Sequence, residues 1–173
     1  MSDFVLSPAG DAVAYLVHDT AGGLSVDLGL TRLGAVPGAP ATAGARVARG
    51  VFGFGFSPDG RWLYYRNGCV REAEACDLFR VAASGTGGTG PEPIAQGVKS
   101  WEYAPGRPGR LLVGWSRTDR VALDLALWEG GALTALDTTV RPGSAAFVGG
   151  DPGRLTWAVI DPKRAGVYVA EIP

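Results

Sequence analysis

The chain has 173 residues, enough for one domain with a real hydrophobic core, and its 27 glycines and 12 prolines suit many turns and short strands rather than helices. A net charge of -1, with acidic and basic residues dispersed, gives no electrostatic footing for nucleic acid or an anionic membrane surface. No apolar run approaches the roughly 18–20 residues of a membrane span.

The opening residues, MSDFVLSPAGD, have neither a basic segment nor a long apolar one, so they do not read as a signal peptide. Either the protein works in the cytosol or a leader lies outside this sequence. From Asp3 to Leu16 the chain reads strand, Ser7-Pro8-Ala9-Gly10 turn, strand. A third alternating stretch follows at Leu24–Leu33, and a weaker one near ARVARG.

The pattern returns at Val51 as VFGFGFSPDGRWLYYRNG, with Ser57 standing 50 residues after Ser7. Period-two alternation places Phe52, Phe54 and Phe56 on one face and Gly53 and Gly55 on the other, where glycine lets another backbone approach. Ser57-Pro58-Asp59-Gly60 reverses the chain: proline presets φ, aspartate suits the next position, and Gly60 takes the positive φ of the return. Asp77–Ala82 is the third strand and EPIAQG the fourth.

Trp101–Trp115 is a third copy, WEYAPGRPGRLLVGW, continued by Ala122–Glu129 and LTALDTTV. Ala145–Ile160 opens a fourth, continued by Gly166–Ile172, with no fourth strand before Pro173. The repeats span about 1–50, 51–97, 98–141 and 142–173 of one domain. Repeats of about 40–50 residues with four strands each are the signature of propeller blades.

FSPDGRWLYY followed by CDLFRV resembles the repeat of TolB-type β-propellers, also called PD40 repeats. The likeness covers nearly the whole chain in four copies, of which the third and fourth lengthen the turn but keep Gly109-Arg110 and Gly153-Arg154. The fold class expected is therefore all-β: a partial or half propeller of about four antiparallel four-stranded blades, the last incomplete. The resemblance also implies about six or seven blades in a full ring. An unclosed array exposes sheet edges and apolar blade faces. It could be part of a longer propeller, four blades closed alone, or a ring of about eight blades from two chains. A homodimer or a piece of a longer propeller fits better than an open monomer.

Cys69 and Cys76 flank one hairpin loop, GCVREAEAC, so either they form a disulfide that stabilises the loop by about 2–3 kcal/mol, or both are free thiols in the cytosol. No zinc-ligand spacing is present, so no metal is expected. Gly85–Gly90, GTGGTG, matches a dinucleotide-binding pattern, but Pro91-Glu92-Pro93 denies it the following helix, and no cofactor is expected. His18, with Asp19 beside it, is the single histidine, and no G-x-S-x-G elbow accompanies it. Asp27, Asp77, Asp119 and Asp124 read as solvated strand ends unless the fold pairs two of them. Arg107 and Arg110 of GRPGR read as an ordinary solvated turn that could meet an anion. Trp62, Trp101, Trp115, Trp128 and Trp157 read as packing between blades.

No catalytic residue is assigned. The function expected is a non-catalytic protein-binding or scaffold module of a bacterial TolB-like propeller protein, self-associating or part of a longer ring. The alternative is the gating propeller of a prolyl-oligopeptidase-like hydrolase. TolB resemblance and the cysteine pair imply the periplasm or cell envelope, with the cytoplasm as alternative. The residues assigned structural work are Ser7, Pro8 and Gly10, and Ser57, Pro58, Asp59 and Gly60.

Overall fold

In the computed structural model the residues described are 4–18, 26–34, 44–70, 75–84, 90–116 and 121–172. They are all-β apart from one short 3-10 turn at Val148–Gly150. Blade 1 is an antiparallel sheet of β1 (Phe4–Leu6), β2 (Ala12–His18), β3 (Val26–Arg32) and β4 (Ala45–Ala48), in that order. Blade 2 comprises β5 (Gly53–Phe56), β6 (Trp62–Val70), β7 (Ala75–Ala82) and the first part of β8 (Glu92–Tyr103). Blade 3 takes the rest of β8 with β9 (Arg110–Ser116), β10 (Leu123–Glu129) and β11 (Ala132–Val140). Blade 4 is β12 (Ala146–Phe147), β13 (Arg154–Val159) and β14 (Gly166–Glu171), with Val140 at the end of β11 pairing Val159. The fold is a partial β-propeller, as the repeats imply.

Two compact units divide the chain: Met1–Cys69 with Cys76–Ala95, and Val70–Ala75 with Gln96–Pro173. The first unit's core lies between blades 1 and 2. Ala12, Ala14, Leu28 and Leu30 of blade 1 cluster with Phe56, Leu63 and Tyr65 of blade 2, and Tyr65 stacks on Phe79. In the second unit Leu112, Leu125 and Leu127 of blade 3 cluster with Phe147, Leu155, Trp157 and Val159 of blade 4. Burying each large side chain contributes about 1.5–3 kcal/mol, and the strand's two-residue period puts these on one face.

The Ser-Pro turns are built on their serines. Gly60 N–H donates to Ser57 C=O (2.9 Å), and Gly60 sits at φ 71°, a left-handed conformation that branched residues resist. The buried Ser57 Oγ accepts from Trp62 N–H (3.0 Å) and donates to Asp59 Oδ1 (2.6 Å). Pro58 occupies the exposed second position of that turn. In blade 1 the buried Ser7 Oγ likewise accepts from Ala12 N–H (3.0 Å), but Ala9 stands where blade 2 has Asp59, and the hydroxyl donates instead to Asp11 Oδ1 (2.7 Å). Pro8 and Gly10 (φ 70°) complete that turn. Ala104 and Val148 replace the serine in blades 3 and 4, where backbone bonds close the longer turns, joined in blade 4 by Asp151 Oδ1 accepting from Gly153 N–H (2.8 Å).

Cys69 and Cys76 are joined by a disulfide between β6 and β7. Three details differ from the sequence reading. Phe54 and Phe56 pack in the first core, but Phe52 precedes β5 and is exposed, with the Arg66 guanidinium 5.5 Å from its ring centre. Gly53 and Gly55 stand opposite Arg66 and Tyr64 in register, so that face belongs to the larger side chains of β6. The fourth strand of blade 2 and the first of blade 3 are one strand, β8. Gly97 (φ 65°) lies within it, and its pairing with β9 shifts register between Val98 and Ser100.

Candidate functional site

The inner strand of blade 3 carries an unusual side chain. By register Glu102 faces Leu112 on β9, as Val5 faces Ala14 in blade 1. Val5 packs against the first core, and the matching residue of blade 2 is Gly55, opposite Tyr64. Blade 3 alone of these puts a carboxylate on that face. Glu102 is exposed as a whole, but its carboxyl accepts the backbone N–H of Phe147 and is partly desolvated, and that desolvation is the largest influence on it, pushing its pKa above the usual carboxylate range.

Glu102 lines a cleft of about 280 Å³ within the second unit. Its floor is Leu112, Leu123 and Leu125, and Trp101 and Arg141 border it. Gly114 keeps it open, since a Cβ there would come within 2.8 Å of Ser100 Oγ and 3.1 Å of Leu123 Cδ1. A carboxylate above an apolar floor suits an ammonium or guanidinium group on an apolar stem. Repeat alignment would have singled Glu102 out, because the matching positions are valine and glycine. Reading the third copy for its turn alone passed over it.

The residues singled out in sequence are dispersed. His18 ends β2, exposed, in register with Val26. Asp27 pairs with Arg46 at 3.5 Å. Asp27, Asp77 and Asp124 occupy the same point of the third strand in three blades, each before a buried leucine (Leu28, Leu78, Leu125), so they are one repeated feature. Asp19, Asp119 and residues 85–89 of the glycine run lie outside the described residues. Among the described residues no group of three His, Cys, Asp or Glu side chains stands close enough to hold a metal.

The GRPGR reading divides. Arg107 is exposed, but Arg110 is buried and is not part of a solvated turn. Its Nη2 donates to Glu129 Oε2 (2.6 Å) and its Nη1 to the Pro152 carbonyl (3.1 Å), tying blade 3 to the turn of blade 4. Only register, which sets Arg110 opposite Glu129, brings these groups together. Of the tryptophans, Trp128 and Trp157 are buried, and Trp157 lies in the second core with Nε1 donating to Asp137 (2.8 Å). Trp62 is half-buried beneath the Arg80 guanidinium, 4.1 Å from its ring centre, a contact within blade 2. Trp101 borders the cleft, and Trp115 stands between Val98 and Asp124 in register.

These features define an all-β propeller module with an inter-blade cleft. Solved structures are similar to it over nearly its whole length. An uncharacterized protein from Listeria monocytogenes EGD-e aligns with 99% of this chain and 50% of its own, at TM-score 0.62 and 10% identity. The beta-propeller domain of the Trilobed protease from Pyrococcus furiosus, described as having an open velcro topology, aligns over 99% and 55%, at 0.60 and 11%. Pyrococcus horikoshii acylaminoacyl peptidase aligns over 98% and 31%, at 0.58 and 12%. TolB from Acinetobacter baumannii is also matched, but at a TM-score of 0.40, too low to argue from. At these identities the likeness is one of fold. This chain spans about half, or less, of the length of those structures. No protein-family model matches the sequence, and none of the curated proteins does.

Proposed function

We propose that this chain is a non-catalytic protein-binding or scaffold module of a propeller protein. The observation that carries the reading is the placement of large apolar side chains on open sheet faces. Phe4 and Leu6 on blade 1, and Val167 and Val169 on blade 4, are exposed although the repeat buries such side chains elsewhere. Exposed apolar clusters on blade faces suit contact with another protein surface. The Glu102 cleft adds a seat for a lysine or arginine side chain of the partner. The scattered carboxylates favour binding over acid–base chemistry, since Asp27, Asp77 and Asp124 repeat one position rather than converging.

The test pairs binding with turnover. A candidate partner captured from an envelope extract is purified, and its affinity is measured calorimetrically for the wild type and Glu102→Gln. A panel of peptide and ester substrates is assayed alongside. Reproducible binding weakened by Glu102→Gln, without turnover, supports the module; turnover abolished by Glu102→Gln overturns it.

The disulfide supports an oxidising compartment such as the periplasm, with the cytoplasm as alternative. Thiol alkylation in intact cells tests this: Cys69 and Cys76 protected from alkylation until reduced fit the periplasm. Among the described residues no helix is long and apolar enough to cross a membrane. A second reading, the gating propeller of a hydrolase, is favoured by the likeness to two peptidase structures. It requires a hydrolase domain encoded in the same reading frame.

A further inference from the structure

The internal repeat shows which side chains fill, in the first unit, the space that the Glu102 cleft leaves in the second. Between blades 1 and 2, Val5, Leu16 and Phe54 pack against the first core. Register gives their counterparts between blades 3 and 4. Glu102 faces Leu112 as Val5 faces Ala14, and Gly114 stands two residues beyond Leu112 as Leu16 stands two beyond Ala14. Ala145 stands two residues before Phe147, which faces Leu155, as Phe54 stands two before Phe56, which faces Leu63. Three apolar plugs are thus replaced by glutamate, glycine and alanine, and all three replacements line the cleft. Its volume of about 280 Å³ is just under the roughly 300–1,000 Å³ of small-molecule pockets and suits one extended side chain.

The two charged residues of the cleft stand at opposite ends of it, within the second unit. Across the sheet of blade 3 the order is β8, β9, β10, β11. Glu102 is on β8, and Arg141 directly follows Val140, the last residue of β11. Three inter-strand spacings separate them, about 14 Å in all. Between them lie Leu112 on β9 and Leu123 and Leu125 on β10, with Leu123 facing Val140 in register. Residues 141–145 lead back from the outer end and wall the cleft, and the Phe147 N–H just beyond them binds Glu102. Among the described residues neither Glu102 nor Arg141 stands in an ion pair, with each other or with any third residue.

A ligand that answers both ends carries a cation and an anion with an apolar stem between them. We propose that the cleft receives the last residue of a partner protein, and that this residue is basic. The side-chain ammonium or guanidinium meets Glu102, the stem lies on the leucine floor, and the terminal carboxylate meets Arg141. Lysine's four-carbon stem covers apolar surface while its charged head stays polar. Arginine grips a carboxylate through two parallel hydrogen bonds, which makes the outer end selective for a free chain end. A basic residue inside a chain has an amide where that carboxylate would be. The proposal rests on the protein-binding reading and narrows its partner to proteins ending in lysine or arginine.

The test titrates 6-aminohexanoate into the full chain by calorimetry, since this probe carries the ammonium, stem and carboxylate alone. Hexylamine lacks the carboxylate and hexanoate the ammonium, and each should bind at least about 10-fold more weakly. A tripeptide ending in lysine should bind, and its carboxyl-amidated form should lose about 10-fold. Glu102→Gln and Arg141→Gln, both at exposed positions, should each weaken 6-aminohexanoate by about 10-fold. Ala145→Phe, which restores the aromatic of blade 2, should abolish binding, with an unchanged circular dichroism spectrum as the check on folding. Arg154→Gln, exposed and outside the cleft, should leave the affinity unchanged.

No binding of 6-aminohexanoate overturns the proposal. So does hexylamine or the amidated peptide binding as tightly as its free-acid counterpart, or an unchanged affinity in Arg141→Gln. These results leave the protein-binding reading standing, because a partner can still dock elsewhere or through an internal side chain. Conversely, turnover of the tripeptide abolished by Glu102→Gln would refute the non-catalytic reading, while 6-aminohexanoate binding that depends on both charges would keep this one.

Discussion

Arg110 is the sharpest test of how these blades are held. Arg110→Ala removes the bonds to Glu129 (2.6 Å) and to the Pro152 carbonyl (3.1 Å) and the packing of a buried stem. Glu129 is about half exposed, so its pair contributes only about 0.5–1 kcal/mol. The charge-assisted bond to Pro152 contributes about 1.5 kcal/mol, and the stem about 1 kcal/mol. The expected loss is about 3 kcal/mol, or about 6–12 °C in Tm for a chain of this size. The pH dependence is also determined. The hydrogen bond from Arg110 holds the Glu129 carboxyl below its usual range. A lowered folded pKa means this part of the stability is complete above the unfolded value of about 4.3 and is lost as pH falls through the folded one. Thermal unfolding of wild type and variant at pH 7 and pH 3 should show a gap that narrows in acid without vanishing, because the Pro152 bond does not titrate. A Tm drop under about 2 °C at pH 7, or an equal gap at both pH values, would refute the reasoning.

Leu63→Ala should cost about 3 kcal/mol in urea unfolding, whereas its repeat counterpart Val13→Ala should cost about 1 kcal/mol, since Val13 is only half-buried and stands outside the first core. Ser57→Ala should cost about 1–2 kcal/mol, because the Trp62 N–H and Asp59 lose their shared hydroxyl, and the same melt reads it. Reducing the Cys69–Cys76 disulfide should lower stability by about 2.5 kcal/mol, the entropy of reopening a short loop, measured by melts with and without reductant. Glu102→Gln should stabilise the chain at neutral pH. Burial raises the folded pKa of Glu102, so wild-type stability falls as pH rises from the unfolded value through the folded one, and the variant's advantage should disappear below about pH 4 in parallel melts.

Much of the fold was legible because its signals are local. Alternation marked the strands, and Ser-Pro-x-Gly marked the hairpin returns, where Gly10 and Gly60 do adopt positive φ. Strand ends moved by a few residues, as with β7, which begins at Ala75 rather than Asp77. The two serines could be called turn residues from sequence, but their hydroxyls could not be assigned: blade 1 enlists Asp11 where blade 2 uses Asp59. The candidate site was less legible. Glu102 sits in a strand whose alternation looks ordinary, and its character comes from a neighbouring blade's Phe147 N–H and a leucine floor. Arg110 resembled a turn arginine because Gly109 precedes it, although it is the first residue of β9.

By itself the sequence determined the four repeats, their strand order, the turn residues and the placing of two cysteines at one loop, with the bond between them left to the structure. Each depends on residues within a few positions of one another, or on one pattern copied along the chain. Only the tertiary structure decided which face of each strand is buried, that Arg110 is enclosed, and that Phe4, Leu6, Val167 and Val169 are exposed. Burial depends on which blade packs against which, and that contact joins residues far apart in the chain whose side-chain periodicity is the same whether the face is covered or bare.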